Sequence, residues 1–419
     1  MNRRSFFQST TTAALATQVS FSALAAATKG KSAEEMATDE DFWMTIRNEF
    51  TTDRTVINMN NGYASPAPRT VQDAMKRYLD FTNMGPYHTM VMQLDPKIER
   101  ARRMIADAAG CDPEEIAITR NSSEALEIAQ LGVTLKPGDE VLTTNQDYPR
   151  MLTTFRQRVR REGIKLKMIS FPVPVVSMDD LYQRFEQAIR PQTKLILLCH
   201  ITNRTGQIFP VRRICDMAHE RGIPVIVDGA HAFNQFPYKI SDLNCDYYGV
   251  SLHKWTFAPI GTGFLYVRKS RIKETWAMMA SSERQDDNIR KFEEVGTHPA
   301  ANFDAICEAL TFNQNIGIER KAARLRYLKD RWANQLAKHP KVRILHNPDP
   351  TMSCGIGMLG LKGADAFKLV AALQANHAIY TVAVRHDEYT GIRITPSVYT
   401  TVAEVDYFAT AVEQELKSL

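Results

Sequence analysis

Short β-forming runs recur along this chain with helical stretches between them, and that alternation limits the folds open to it more than any other feature. The runs fall at residues 116–119, 140–143, 166–169, 194–199, 225–227, 247–250 and 263–267. Such a pattern predicts an α/β fold, a mostly parallel sheet covered by helices. The run at 194–199 is almost continuously apolar, as a strand buried on both faces must be. In sheets of this kind ligands lie beyond the C-terminal ends of the strands, so the residues following each run are the ones to inspect. Ahead of the first run, 34–50 has helical spacing of Phe42, Trp43, Ile46 and Phe50, and 56–59 reads as a short extended segment. Both should pack on something later in the chain. Beyond the last run, a long helical stretch over 302–338 and weaker signals after it predict a second, smaller domain. The expected division is a large domain over 61–299 and a small α+β domain made of 34–60 and 300–419.

The strand ends carry a consistent set of side chains. Arg120-Asn121-Ser122-Ser123-Glu124 follows the first run and opens a helix. Asn121 with Glu124 can serve simply as a cap. The free N–H groups and two hydroxyls of such a helix start can equally bind a phosphate. Asp228 ends a strongly apolar strand in Val227-Asp228-Gly229-Ala230-His231, where an unpaired carboxylate is costly. It calls for a cation opposite, either a structural arginine or a protonated pyridine nitrogen. The next strand ends in Ser251-Leu252-His253-Lys254-Trp255. A lysine in a cleft can form an imine with an aldehyde cofactor, whose ring a partner carboxylate keeps protonated and electron-withdrawing.

Asp-Gly-Ala-His and Ser-Leu-His-Lys-Trp resemble the cofactor motifs of the class V aminotransferases of fold type I, particularly the branch containing the isopenicillin N epimerases. The likeness runs from Asn60-Asn61-Gly62 to Arg393-Ile394-Thr395-Pro396. It implies a fold type I enzyme carrying pyridoxal 5'-phosphate covalently on Lys254, with Asp228 on the pyridine nitrogen. It further implies phosphate contacts from Ser123, Ser251 and His253, with Ser122 contributing through its backbone, and contacts of Asn203 and His231 near the phenolic oxygen. Tyr148 stands where many members stack a histidine on the ring, a departure that an aromatic face can accommodate. Gly296 and Thr297 match a segment reaching the partner subunit's phosphate, which implies a homodimer with shared active sites. Arg393 matches the arginine that holds the substrate carboxylate, a planar fork suited to two-point binding.

The resemblance leaves the reaction open. Cysteine desulfurases of this class carry a mobile loop cysteine, whereas Val384-Arg385-His386-Asp387-Glu388-Tyr389 has none. Transamination, the favoured expectation, needs only Lys254 to move a proton. Epimerisation needs a second acid or base on the opposite face, for which Tyr63, Tyr87 and His88 are candidates; a C–S lyase is a third choice. A protein that binds ligand on the same fold without turnover is the alternative of another class, and the joint presence of Asp228, Lys254 and Arg393 argues against it. Gly261-Thr262-Gly263 precedes a strand and lacks the setting of a dinucleotide fingerprint.

Charge excludes one further class of partner: a net charge of +5 spread over 419 residues leaves no basic footprint for nucleic acid. Six cysteines are scattered without metal-ligand spacing, so no metal is expected and buried free thiols are the simplest reading. The start, Met1-Asn2-Arg3-Arg4-Ser5-Phe6-Phe7, joins two arginines to an aromatic pair ahead of an uncharged stretch rich in Ser, Thr and Ala. It resembles a twin-arginine export signal over residues 1–27, with cleavage after Ala25 or Ala27, and is too weakly apolar for a stable membrane span. The implied partner is the twin-arginine translocase and the implied compartment the periplasm. That route carries folded proteins, so cofactor can be loaded before export. Periplasmic enzymes of this class that tailor siderophore side chains, as in pyoverdine maturation, share the combination.

Overall fold

The computed structural model describes residues 30–419; the signal-like segment lies outside the described residues. Seven strands form the main sheet: β2 (Ile116–Thr119), β3 (Glu140–Thr144), β4 (Lys165–Ile169), β5 (Thr193–Cys199), β6 (Val225–Asp228), β7 (Tyr247–Ser251) and β8 (Gly263–Val267), in the order β2-β8-β7-β6-β5-β3-β4. All neighbours run parallel except β8, which is antiparallel to both β2 and β7. The α/β expectation therefore holds, with one reversed strand inside the sheet. Successive residues of β5 serve opposite cores: Ile196 and Leu198 face one cluster, Leu195 and Leu197 the other. β6, β7 and β8 divide likewise, which is why these runs are almost continuously apolar. Each such buried Leu, Ile or Val stabilises the fold by about 1.5–3 kcal/mol. β2 and β4 are the edge strands, and the exposed Lys165 of β4 fits a position that must discourage further pairing.

A second, four-stranded antiparallel sheet has the order β12-β13-β10-β9, from β9 (Val342–Ile344), β10 (Gly357–Leu361), β12 (Val382–Arg385) and β13 (Thr390–Ile394). It packs through Leu359, Ile392 and Ile394 on Leu328, Trp332, Leu373 and Phe408 of three helices. Early β1 (Ile57–Asn58) pairs in parallel with β11 (Ile379–Tyr380), so the N-terminal segment is anchored beside the last third of the chain.

Two helical expectations need correction. The stretch 34–50 is two helices, Ala33–Ala37 and Glu40–Arg47, because Asp39 starts a fresh cap by accepting the N–H of Phe42 at 3.1 Å. Its apolar face does meet later residues, with Phe42, Trp43, Ile46 and Phe50 clustering on Phe257, Phe312 and Tyr399. The stretch 302–338 is three helices, Ala300–Asp304, Ile306–Ile316 and Ile318–Leu336. Gly317, at φ +83°, breaks the second from the third, since a left-handed backbone cannot continue a right-handed helix. Among the described residues no helix is long and apolar enough to cross a membrane.

Candidate active site

β6 and β7 are neighbours, and their C-terminal ends place Asp228 and the Ser251–Lys254 turn side by side. Beside them the helix Ser122–Gly132 begins, with Asn121 as N-cap accepting the N–H of Glu124 at 2.9 Å. Two glycines let this helix start lie close to the sheet. A Cβ on Gly249 would meet Leu126 Cγ at 2.6 Å, and one on Gly263 would meet Asn121 Cα at 2.7 Å. The result is a cavity of about 360 Å3 lined by Ser122, Ser123, Tyr148, Asn203, Asp228, His231, Ser251, His253, Lys254 and Arg393. Every expected cofactor- and substrate-binding residue but Gly296 and Thr297 is there; of the candidate second bases Tyr63 lines the cavity, and Tyr87 and His88 do not. Gly296 and Thr297 are exposed and outside the lining.

The end of the cavity at the helix start is polar and preassembled. Ser251 Oγ accepts the N–H of Ser122 at 2.9 Å and donates to Ser122 Oγ at 2.8 Å. His253 Nδ1 lies 3.2 Å from the carbonyl of Thr262, which directs the opposite ring nitrogen away from that carbonyl.

Three buried charges dominate the remainder. Asp228 is 5% exposed and accepts one hydrogen bond, from the Ala230 N–H at 2.9 Å. Burial pushes its carboxyl up to about 6, against the pull of that N–H and of Lys254. Lys254 is pushed down to about 8, mainly by burial, with Asp228 opposing and Arg393 reinforcing the shift. Its Nζ lies 3.1 Å from His231 Nε2, and His231 Nδ1 is buried without a partner. Arg393, 8% exposed, donates to the Asn203 carbonyl at 3.0 Å and to Asn60 Oδ1 at 2.6 Å. Its Nε has no partner, and burial pushes the guanidinium down to about 10. Among the described residues none of these three charges is neutralised by an ion pair, so the cavity holds an anion in want of a cation and cations in want of an anion.

Those wants fit pyridoxal 5'-phosphate. A protonated pyridine satisfies Asp228, the helix start with its serines suits a phosphate, and the buried, unpaired Oδ1 of Asn203 marks an amide in the lining awaiting a partner.

Residues that carry no obvious motif complete the site. Asp147 Oδ2 accepts from Thr144 N at 2.9 Å, Thr144 Oγ1 at 2.6 Å and Thr143 Oγ1 at 2.9 Å, fixing the turn that presents Tyr148. Glu388, in the loop that lacks a cysteine, accepts from Asn145 at 3.0 Å and so ties that loop to the same turn. Cys199, at the end of β5, lines the cavity floor with its thiol pushed well up by burial. None of the six cysteines is paired. Asn60 and Asp147 are short polar residues in loops; only their position after an apolar run could have singled them out.

Comparison with known proteins bears on the family and the fold. The family model described as aminotransferase class-V matches residues 57–408. The isopenicillin N epimerase of Streptomyces clavuligerus is 28% identical over 388 residues, spanning 88% of this chain and 98% of that protein. The cysteine desulfurase of Thermococcus onnurineus NA1 superposes with a TM-score of 0.78 at 23% identity, covering 91% of this chain and 98% of that one. A C-DES lysine mutant with glycine covalently linked to its PLP cofactor superposes at 0.77 and 21% identity, covering 87% and 98%.

Proposed function

The chain belongs to the class V aminotransferase family and takes pyridoxal 5'-phosphate, and from that premise we propose that it transaminates a primary amine adjacent to a carboxylate. The observation that carries the substrate class is Arg393, a buried guanidinium held by two neutral oxygens and no carboxylate. A substrate carboxylate supplies the missing anion in a two-point contact. When bound, the cofactor supplies an aldehyde to take up the amino group and a ring that draws electrons from the adjacent carbon. The chain does the rest. Asp228 would keep the ring nitrogen protonated, the Ser122–Ser251 pair and the helix start would hold the phosphate, and Tyr148 would offer an aromatic face to the ring. Lys254, with a pKa near 8, alternates between amine and ammonium at ordinary pH and so can take a proton from the substrate carbon and return it elsewhere. Transamination asks for no other base.

Epimerisation is the second reading, supported by the epimerase relative and by Tyr63, a phenol in the lining that is 78% exposed. Incubation of the holoenzyme with amino acids separates the choices. Formation of a 2-oxo acid, with the starting absorbance restored by a different 2-oxo acid, is expected. Scrambled configuration with deuterium gained at Cα and no oxo acid would replace transamination by epimerisation. Release of pyruvate, ammonia and a thiol would make it a C–S lyase. No response to any amine would favour a binding protein. The exported location, the homodimer with shared sites through Gly296 and Thr297, and passage through the twin-arginine translocase belong to the same proposal. Their support is the resemblance of residues 1–27 to such signals and of residues 296–297 to the family's cross-subunit segment.

A further inference from the structure

A second cavity, of about 450 Å3, adjoins the first. Tyr63 and Ala64 line both, and Asn60, in the wall of the second, receives the 2.6 Å hydrogen bond from Arg393 in the first. One thickness of side chain separates the carboxylate clamp from this space. It lies between the early segment around β1 and the start of the last helix, Val402–Ser418, away from the phosphate end.

Its chemistry is that of a neutral, ring-accepting site. The tyrosines Tyr63, Tyr380 and Tyr399 line it with Val56 and Pro66. Tyr399 belongs to the buried wall, its hydroxyl spent on Asn61 Oδ1 at 2.6 Å and Asn58 at 3.1 Å and its ring packed on Phe50, so the accessible rings are those of Tyr63 and Tyr380. The charged groups at the margin are spent too. Arg47 makes a two-point pair with Glu404 at 2.6 and 2.8 Å and also donates to the Tyr399 carbonyl. Asp53 is held by the N–H and hydroxyl of Thr55 at 2.8 and 2.7 Å. Arg47 and Glu404 neutralise each other and Asp53 is exposed to solvent, so no buried unpaired charge among these residues calls for an ionic ligand, in contrast with the first cavity. The ring of Tyr63 stands exposed at the boundary, where a passing apolar chain would cover it.

We propose that this cavity is a subsite for the far end of an elongated substrate, an α-amino acid whose side chain passes Tyr63 and ends in a neutral aromatic ring. The inference rests on the reading of Arg393 as carboxylate clamp. It accounts for a ring-lined space one residue from a clamp, which a small amino acid would leave unused.

The test compares a matched pair on the holoenzyme, L-norvaline and L-2-amino-5-phenylpentanoate, which differ only in the terminal phenyl. The half-saturating concentration for the change in cofactor absorbance is read for each. Burial of one ring should favour the phenyl compound by about tenfold or more. Val56→Trp, which fills the subsite, should abolish that preference while leaving the norvaline value within about twofold, on the reasoning that a distant filler touches no shared contact. Tyr380→Trp serves the same purpose should the first variant fail to fold, and the comparison in the unaltered enzyme needs neither. Equal values for the pair, or equal weakening of both in a folded filled variant, would overturn the subsite. If neither compound changes the absorbance, the amino-acid reading of the first cavity falls, a result distinct from failure of the subsite alone.

Discussion

Nζ of Lys254 lies 3.1 Å from Nε2 of His231, and the lysine charge depresses the imidazole's hold on a proton. Burial is the first cause for both; His231 is then lowered further by Lys254 and Arg393. The imidazole is therefore the neutral partner, and Lys254 is the group that titrates, near 8. Only the neutral amine attacks an aldehyde, so the rate at which apoprotein attaches the cofactor should rise with pH through a midpoint near 8, where a solvated lysine would show about 10.4. Stopped-flow absorbance measures this, and borohydride reduction should place the fixed adduct on Lys254. A midpoint near 10, or an adduct on another lysine, would exclude the assignment.

Asp228 has a raised carboxyl pKa, about 6, so the folded apoprotein binds more protons there than the unfolded chain between the ordinary value of 3.8 and 6. Its contribution to stability is present below 3.8 and lost as pH rises through 6, for a total of about 2–3 kcal/mol. Asp228→Asn removes that dependence. Apo Asp228→Asn should be more stable than the parent at pH 7 and no more stable at pH 4, as denaturant titration would show. Loaded with cofactor, it should turn over about 100-fold or more slowly, because a neutral amide cannot hold the ring nitrogen protonated. Full activity of Asp228→Asn would sever the carboxylate from the chemistry.

Arg393→Ala should weaken amino-acid binding by about 1.5–3 kcal/mol, the scale of a charge-assisted contact. Cofactor affinity should stay as it is, since Arg393 contacts Asn203 through its backbone carbonyl and not its amide. Arg393→Lys should recover only part, because one ammonium cannot serve Asn60, the Asn203 carbonyl and two carboxylate oxygens together. Spectroscopic titration with amino acids reads both variants; unchanged affinity in Arg393→Ala would refute the clamp.

Lys321 is 1% exposed and supports the turn behind Lys254. Its amine donates to the Trp255 carbonyl and to Asn313 Oδ1 and sits 4.0 Å above the ring of Phe257, a residue at φ +61°. Lys321→Met leaves two buried acceptors short of a donor, at about 1–3 kcal/mol each. A fall in unfolding free energy of that order is expected in denaturant titrations. A neutral result would mean that the Trp255 turn holds itself.

If residues 1–27 are the export signal proposed above, Arg3→Lys with Arg4→Lys should leave a folded, cofactor-bearing protein in the cytoplasm, since such signals are read through their arginine pair. Cell fractionation and cofactor absorbance report the two halves of this expectation. A double variant still found in the periplasm would remove the twin-arginine route.

The order of strands and helices, the strand-end positions of Asp228 and Lys254, and the nature of the cofactor follow from the sequence by itself. Strands buried on both faces must be apolar throughout, and a lone acid or lysine at the end of such a run stands out against it. Helix breaks at Asp39 and Gly317 were hidden because apolar spacing continues across them, while one cap and one left-handed backbone end the helices. Tertiary structure alone decided which distant loops meet. Asn60 and Arg393 are 333 residues apart and share a 2.6 Å hydrogen bond, and Glu388 closes onto Asn145 from 243 residues away. Contacts of this kind depend on how β1 seats beside β11 and how the small sheet sits against the large one's strand ends. Local propensity and periodicity reach only a few residues along the chain, so they carry no record of such pairings. The unpaired state of Arg393 and the second cavity beside it exist only once the whole chain is packed.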